Sequence, residues 1–297
     1  MKSNILLILS LITCLGTKAQ NPILVSEDSL NFGQSMMPAL TVIIPESNYE
    51  RTLKAWTREL QSNTKSKLAT DNDGMSIFGV LIKEISPNSL NVYSKMMNLD
   101  SMVKLSVAFE IKKDQYIESI TGEPSFTNAK SYIKEFAKNQ YIEVAKDQLD
   151  AEDKKLRDLQ RELSSLEKEN ANLQASIRSN NNIIVDEKGN IIVQNGELTR
   201  LSAEIDKQKI KLDSLEAGPV KVEKEAEIKD LEKSKEKVLN SISSSENRIN
   251  RANNAIDDAN REIPNNQKMQ QDVMVRIEQQ QIVYQKFVNK LKTIEAY

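Results

Sequence analysis

The residues that could do chemistry here are mainly those with carboxylate, amide and hydroxyl groups. The chain has 43 Asp and Glu residues, one Cys and no His. Without histidine there is no imidazole base, no Ser-His-Asp triad and no imidazole metal ligand. A zinc site of the usual composition needs Cys or His ligands, so it is excluded too. The carboxylate pair Asp257-Asp258 lies on the polar face of a regular helical repeat. We therefore predict a protein that is not an enzyme and binds neither a metal nor a cofactor.

The glycine and charge patterns exclude two further classes of ligand. The 8 glycines are scattered, so no glycine-rich loop is available to hold a phosphate. The 41 Lys and Arg are interspersed with the acidic residues and the net charge is −2, so we expect no binding to nucleic acid. The sequence from Asp71 to Gly74 resembles part of a calcium loop but lacks the downstream glutamate, and we predict a turn there.

The N-terminus has the layout of an export signal. Lys2 is followed by an apolar run over residues 5–16 and by a small-x-small cleavage site that ends at Ala19, before Gln20. The run is too short to span a bilayer, which disfavours a retained anchor. We predict a signal peptide over residues 1–19 and a location in the periplasm or cell envelope.

Two further expectations concern the membrane and the thiol. Acylation of Cys14 as a lipoprotein anchor is an alternative to cleavage after Ala19, although Thr13 is unusual just before such a cysteine. Cleavage after Ala19 leaves a mature chain with no cysteine and therefore no disulfide. No later segment is long and apolar enough to cross a bilayer, so we expect no integral membrane segment in the mature chain.

The first third of the mature chain predicts a small α+β domain. Residues 20–38 are polar without a clear period, and we predict an irregular leader there. Residues 39–122 predict the order β-α-β-β-β-β, an antiparallel sheet with one packed helix. The strands are expected at 41–44, 76–85, 90–96, 103–111 and 116–117, and the helix has an apolar stripe of Tyr49, Leu53, Trp56 and Leu60. We expect Trp56, the single tryptophan, in the core beneath the sheet.

Heptad repeats begin after residue 122 and predict a long coiled-coil stalk. Over 127–181 one seam position is occupied by Leu149, Leu156, Leu163 and Ile177, and the other by Leu159, Leu166 and Leu173. Asn170 lies on the first seam position, where a polar residue usually specifies register.

Two identical tetrads, 182–185 and 190–193, interrupt this stalk around Gly189. Their β-branched residues predict a β-hairpin over 182–195 at the tip of the stalk. One interpretation is a structural cap that covers the end of the seam. The other is a partner-contact tip, because an isolated hairpin buries its apolar faces poorly. The candidate contact residues are Ile183, Ile184, Val185, Ile191, Ile192 and Val193.

The chain is then predicted to return. Residues 197–263 continue the heptads in a helix antiparallel to the first, with a kink at Gly218-Pro219. Pro264 disfavours helical geometry at Ile263, so residues 265–297 are predicted to reverse again as a third helix packed near the base. No aromatic residue occurs from 142 to 283, a stretch that we call the aromatic gap. The gap supports a third helix near the base, because a two-helix seam prefers Leu and Ile, whereas a three-helix layer can bury aromatic rings. The alternative is one helix, unreversed at Pro264, that dimerises.

These patterns predict an exported structural or interaction protein of the cell envelope, a coiled-coil spacer or adaptor that presents the α+β domain. We expect its partners to be other envelope proteins, with a homo-oligomer through the coiled coil as a further option. A holdase-like periplasmic chaperone and a coiled-coil regulator of a cell-wall hydrolase are the alternative functions.

Overall fold

The computed structural model describes residues 23–62, 64–71 and 74–297 of the chain. The predicted cleavage site at Ala19 and Gln20 lies outside the described residues, as does Cys14. The contacts divide the chain into two units. We call the unit formed by residues 23–154 and Ile282–Tyr297 the sheet domain, and the unit formed by Lys155–Gln281 the helix pair.

The sheet domain contains an antiparallel sheet whose strands lie in the order β1-β2-β6-β5-β4-β3, with β7 beside β6. The strands are β1 Val25–Phe32, β2 Ser35–Pro45, β3 Ala69–Asp71, β4 Gly74–Val80, β5 Leu90–Leu99, β6 Met102–Lys112 and β7 Gln115–Tyr116. The α-helices within the described residues are α1 Tyr49–Gln61, α2 Ser125–Asp213 and α3 Pro219–Glu295. The antiparallel sheet with a helix packed on it was predicted, but β1 and β3 were not.

One face of the sheet carries the main core, because every second residue of the central strands is apolar. On β6 these residues are Val103, Leu105, Val107 and Phe109, each at most 1 % exposed. Helix α1, capped by the Asn48 side chain, lays Trp56 on this face. The Trp56 side chain is fully buried and donates from Nε1 to Ser94 Oγ at 2.9 Å. The prediction that Trp56 is a core residue is confirmed.

The ends of both long helices complete the core of the sheet domain. Ile133 and Ile294 are fully buried in it, and the Phe136 ring lies edge-on to Trp56 with centroids 4.8 Å apart. The predicted domain boundary at residue 122 is therefore wrong. Tyr132 and Phe136, which precede the aromatic gap, lie here because they pack against Trp56 of α1, and this packing does not need a third helix.

The irregular leader predicted over residues 20–38 is also wrong where the structure describes it. Residues 25–32 form β1, and β2 begins at Ser35. β1 is an edge strand that pairs only with β2, so most of its side chains face solvent and can be polar. A polar edge strand has no apolar alternation from which a sequence can reveal it.

The predicted β-hairpin at 182–195 is wrong, because α2 runs without interruption from Ser125 to Asp213. The half-buried residues keep the seam spacing through this segment, with Ile184 and Ile191 seven residues apart. Burial of one residue in every three or four favours a helix, and this preference outweighs the modest β propensity of Ile and Val.

The chain reverses instead at residues 214–218, so Gly218-Pro219 separates two helices and is not a kink within one. Pro219 is the first residue of α3, where its missing N–H costs nothing. The third helix predicted over 265–297 is wrong as well, because Pro264 lies inside α3. Ile263 and Asn266, on either side of Pro264, both lie at the seam. This agrees with the alternative in which the helix does not reverse at Pro264.

Contacts within the helix pair connect early residues of α2 to late residues of α3. Glu162 accepts from Arg276 at 3.0 Å, Gln194 donates to Ser241 at 2.7 Å, and Lys209 lies 2.8 Å from Glu232. This order means that the two helices run in opposite directions in this unit.

We expect opposite stability effects from two glycine substitutions. Gly189→Ala should raise the free energy of unfolding by about 0.5–1 kcal/mol, because the position is helical and an added methyl meets no atom within 4 Å. Gly74→Ala should lower it by roughly 1–3 kcal/mol, because φ is +144° and the new Cβ would lie 2.4 Å from the Ser94 carbonyl oxygen.

Urea denaturation followed by circular dichroism measures both changes. A loss of stability in Gly189→Ala would contradict a helix at this position, since a turn glycine with positive φ responds with the opposite sign.

Candidate interaction surfaces

The six candidate contact residues of the predicted tip lie in the middle of α2 and do not form one surface. Ile184 and Ile191 are half-buried at the seam with α3. The Ile183 side chain is at the edge of exposure, at 39 %, whereas Val185, Ile192 and Val193 are 68–73 % exposed. The structure thus divides the set into seam residues and an outward-facing apolar group.

A second surface lies on the face of the sheet opposite the main core. Asn91 of β5 and Tyr116 of β7 are the cross-strand neighbours of Glu110 on β6. Side chains directly opposite each other on antiparallel strands share a face, so these three groups lie together. Tyr93, two residues after Asn91, extends the surface towards β4.

The Glu110 carboxylate is the polar centre of this surface and is only 6 % exposed. Oε2 accepts from Asn91 Nδ2 at 2.8 Å and from the Tyr93 hydroxyl at 3.2 Å, and Oε1 accepts from the Asp114 N–H at 3.0 Å. Burial raises the pKa of Glu110, but these donors outweigh burial and the net pKa is lowered. Burial, together with the Glu110 charge, raises the pKa of Tyr93 to about 12.

Aromatic rings surround this carboxylate. Tyr93 is edge-on to Phe32 at 5.3 Å and to Phe78 at 5.9 Å between ring centroids. Phe78 is 52 % exposed, because a register shift between Ile77 and Val80 turns it outward. Gly79, at φ +67°, donates its N–H to Asn91 Oδ1 at 3.0 Å and holds this bulge in place. We call Phe32, Phe78, Tyr93, Glu110 and Tyr116 the aromatic patch.

A third feature of the sheet domain is an acidic cleft of about 600 Å³ next to the N-terminus of α1. Its acidic lining residues are Glu46, Glu50 and Asp100. Glu46 is the most constrained of them, with φ at +52°. Its carboxylate accepts from Lys290 Nζ, from Gln148 Nε2 at 2.9 Å and from the Tyr141 hydroxyl at 3.4 Å.

The contacts of Glu46 indicate a structural role for its side chain. Burial raises the pKa of Glu46, but the hydrogen bonds from Lys290 and Gln148 and the Lys290 charge lower it further than burial raises it. Lys290 also contacts Gln148 Oε1 at 2.8 Å. The carboxylate thus links the end of β2 to both long helices inside the sheet domain, and its acceptor sites are occupied.

The carboxylates of Glu46 in the acidic cleft and Glu110 in the aromatic patch are held by donors. The aromatic patch offers ring faces and edges, which suit contact with an apolar or aromatic group. Within the described residues no group of three or more His, Cys, Asp or Glu is arranged to hold a metal ion. None of the helices in the described part of the chain has both the length and the apolar character needed to span a bilayer.

Sequence reasoning missed the aromatic patch and the acidic cleft. Alternation on the predicted strands 90–96 and 103–111 places Asn91, Tyr93 and Glu110 on the polar face, which was a usable signal. Phe32 and Phe78 could not be found in this way, because one lies on an unpredicted strand and the other at a bulge. No protein-family model matches the chain, and no curated protein matches its sequence.

We expect the stability of the sheet domain to depend on pH through Glu110. A lowered pKa in the folded state contributes stability that is fully present above the usual pKa near 4.5 and is lost as pH falls through the folded-state value. Glu110→Gln should therefore lower the free energy of unfolding at pH 7 by about 1–3 kcal/mol.

Urea denaturation of both proteins between pH 7 and pH 3 tests this dependence. The two unfolding free energies should approach each other as pH falls, because protonation makes the glutamic acid neutral and close in shape to glutamine. A difference that stays constant over the whole range would show that the Glu110 charge is irrelevant.

Proposed function

We propose that this chain is an exported, non-enzymatic interaction protein of the cell envelope. In this proposal α2 and α3 form an antiparallel coiled-coil spacer, and the sheet domain carries the contact surface. The observation that carries the proposal is the seam: residues that are not exposed recur at alternating intervals of three and four along both helices of the helix pair.

The seam of α2 keeps one register over its whole length in the helix pair. Its residues are Leu156, Leu159, Leu163, Leu166, Asn170, Leu173, Ile177, Asn180, Ile184, Glu187, Ile191, Gln194, Leu198, Leu201, Ile205, Gln208 and Leu212. The heptad therefore passes through the segment 182–195 without a stutter. A sustained 3-4 spacing is the pattern from which coiled coils are built.

The seam of α3 is equally regular and continues through Pro264. Its residues are Ile228, Leu231, Lys235, Val238, Ile242, Ser245, Ile249, Ala252, Ile256, Ala259, Ile263, Asn266, Gln270, Val273 and Ile277. Pro264 follows a seam residue and lies on the outward side, where its ring meets no facing helix. The small Ala252 and Ala259, 3 % and 4 % exposed, permit close approach of α2.

Some of the polar residues at the seam are paired across it. Asn266 Nδ2 donates to Glu169 Oε2 at 2.9 Å, and Gln270 Nε2 donates to the Leu166 carbonyl at 3.3 Å, beside the buried Asn170. Glu187 lies 2.8 Å from Arg248 Nε. Buried polar groups lose their partners if the helices slide, so these contacts favour a single register.

A non-enzymatic role is supported by the sequence and by the state of the carboxylates. The chain has no histidine and only one cysteine, which is absent from the mature form if cleavage follows Ala19. Glu46 and Glu110 are occupied by donors and have lowered pKa values, which is opposite to what a general acid requires. The aromatic patch, with Phe78 half-exposed, is the contact surface that we propose for an envelope partner.

A cross-linking experiment tests the antiparallel register of the coiled coil. The double variant Gln194→Cys/Ser241→Cys should be joined within one chain by a short dithiol-reactive reagent, because these side chains are in contact. The matched control, Gln194→Cys/Ser234→Cys, moves one cysteine by one heptad, about 10 Å along the helix, and should react much less. Equal cross-linking in the two variants would rule out a defined register.

Export and partner binding are tested together in the native host. The protein isolated from envelope fractions should begin at Gln20, as read by N-terminal sequencing. Retention in the cytoplasm contradicts the proposed export, whereas a lipid on Cys14 contradicts cleavage after Ala19. Capture of partners should be lost in Phe78→Asp and retained in Met269→Asp. Both side chains are 52 % exposed, so they form a matched pair. Loss of the same partner from both variants removes the aromatic patch as the contact surface.

A further inference from the structure

The outward side of α2 carries a second apolar stripe, opposite the seam. Val185, Ile192 and Val193 are 68 %, 73 % and 72 % exposed. Gly189 and Gly196 lie on the same face, and a methyl group added at either glycine meets no atom within 4 Å. We call the solvent-exposed face of α2 between residues 175 and 210 the outer stripe.

The outward positions of α3 alongside this region are different. Most of them carry polar side chains, namely Lys229, Asp230, Lys233, Glu236, Lys237, Asn240, Ser243, Ser244, Asn247, Asn250, Arg251, Asn254, Asp257, Asp258 and Arg261. Leu239 is an exposed apolar residue of this stretch, at 46 %. Apolar side chains that are exposed singly are common on protein surfaces, whereas a group of neighbouring exposed Val and Ile side chains favours an interaction surface.

We propose that the outer stripe binds the outer stripe of a second copy of this chain. The two α2 helices run antiparallel, related by a two-fold axis that passes between Gly189 and Gly196. Residues at equal distances from the axis then face each other, as in any isologous contact. Along the middle of the stripe these facing pairs are Gly189 with Gly196, Asn182 with Ala203, and Ala175 with Ile210.

This central row allows the helices to approach closely. Five of its six residues are Gly, Ala or Asn, and the sixth, Ile210, is 72 % exposed and faces Ala175 across the axis. Small side chains shorten the distance between helix axes. Ile192 then meets the Ile192 of the second copy on one flank, and Val193 meets the Val193 of the second copy on the other.

The charges beside the stripe are complementary under the same symmetry. Arg178 and Asp206 lie on the same flank at nearly equal distances from the axis. Arg178 of one copy therefore faces Asp206 of the second copy, and Asp206 of the first copy faces Arg178 of the second. Asp186 and Arg200 do the same on the opposite flank. All four residues are exposed in the single chain. A two-fold contact therefore brings four opposite-charge pairs together, whereas a parallel arrangement in register places like charges side by side.

The contact involves one helix from each copy and is smaller than the interfaces of about 800 Å² per partner that stable complexes use. We therefore expect a dimer with a dissociation constant in the micromolar range. The proposal requires α2 to be helical from 175 to 210. It does not depend on the location of the protein or on the partner of the aromatic patch.

Sedimentation equilibrium of the purified protein tests the dimer. The wild type should pass from monomer to dimer between roughly 1 and 100 µM. Ile192→Ser/Val193→Ser should remain a monomer over this range with an unchanged helical circular dichroism spectrum, because both side chains point away from α3. A wild type that is monomeric at about 100 µM overturns the proposal, as does a dimer that this variant leaves intact.

Charge reversal tests the two-fold arrangement itself. Arg178→Glu should weaken the dimer roughly tenfold, because it places like charges opposite each other at two places. Arg178→Glu/Asp206→Arg should restore wild-type affinity, because the symmetry brings the two exchanged residues together. If the double variant is as weak as the single one, the helices do not pair about this axis.

A single-cysteine variant locates the axis. Ile192→Cys should form a disulfide between two copies under mild oxidation, whereas Asn247→Cys, on the outward side of α3, should not. Failure of Ile192→Cys to cross-link while the wild type dimerises places the interface elsewhere and overturns the proposal.

Discussion

Burial of a row of Leu, Ile, Val and Ala between α2 and α3, interrupted by polar residues such as Asn170 and Asn266, is the constraint on which the helix pair depends. A large apolar side chain contributes about 1.5–3 kcal/mol when it is fully buried. The half-buried members of the row contribute less, but the row repeats over the whole unit. The net helix propensity of the two segments is ordinary, and helices of this length are stable in water mainly because one face is covered. The same row explains why both helices tolerate residues that oppose helix formation, since neither Pro264 nor Gly189 lies at a seam position.

The sheet domain is held by a different arrangement that also uses these helices. Its core combines alternating apolar residues of the central strands, Trp56 of α1, and buried residues from both helix ends such as Ile133 and Ile294. Lys290 adds a polar connection, because its ammonium group reaches Glu46 and Gln148 and is 5.5 Å from the Tyr141 ring centroid. The chain is thus not divided into consecutive domains, since the sheet domain contains residues from both ends of the described sequence.

The central strands, α1 and the helical register were accessible from the sequence because each has a periodic pattern. The predicted positions of the reversals were wrong because they rested on local signals, the β-branched tetrads and Pro264, and not on the heptad register. Ile177 and Leu198 are 21 residues apart, which is three heptads, and Ile263 and Ile277 are two heptads apart, so both segments in question preserve the phase. A hairpin or a reversal has no reason to preserve it. The edge strand β1, the bulge at Phe78 and the contribution of the helix ends to the domain core depend on distant contacts, and no local pattern encodes them.

The distribution of aromatic residues gives the two units separate spectroscopic signatures. Residues 142–283 contain no Phe, Tyr or Trp, and the single tryptophan is fully buried in the sheet domain. Tryptophan emission and near-ultraviolet ellipticity therefore report on the sheet domain alone, whereas the ellipticity at 222 nm comes mostly from the long helices. Two optical signals recorded in one titration resolve the order in which the helix pair and the sheet domain lose structure, without a label or a truncated fragment.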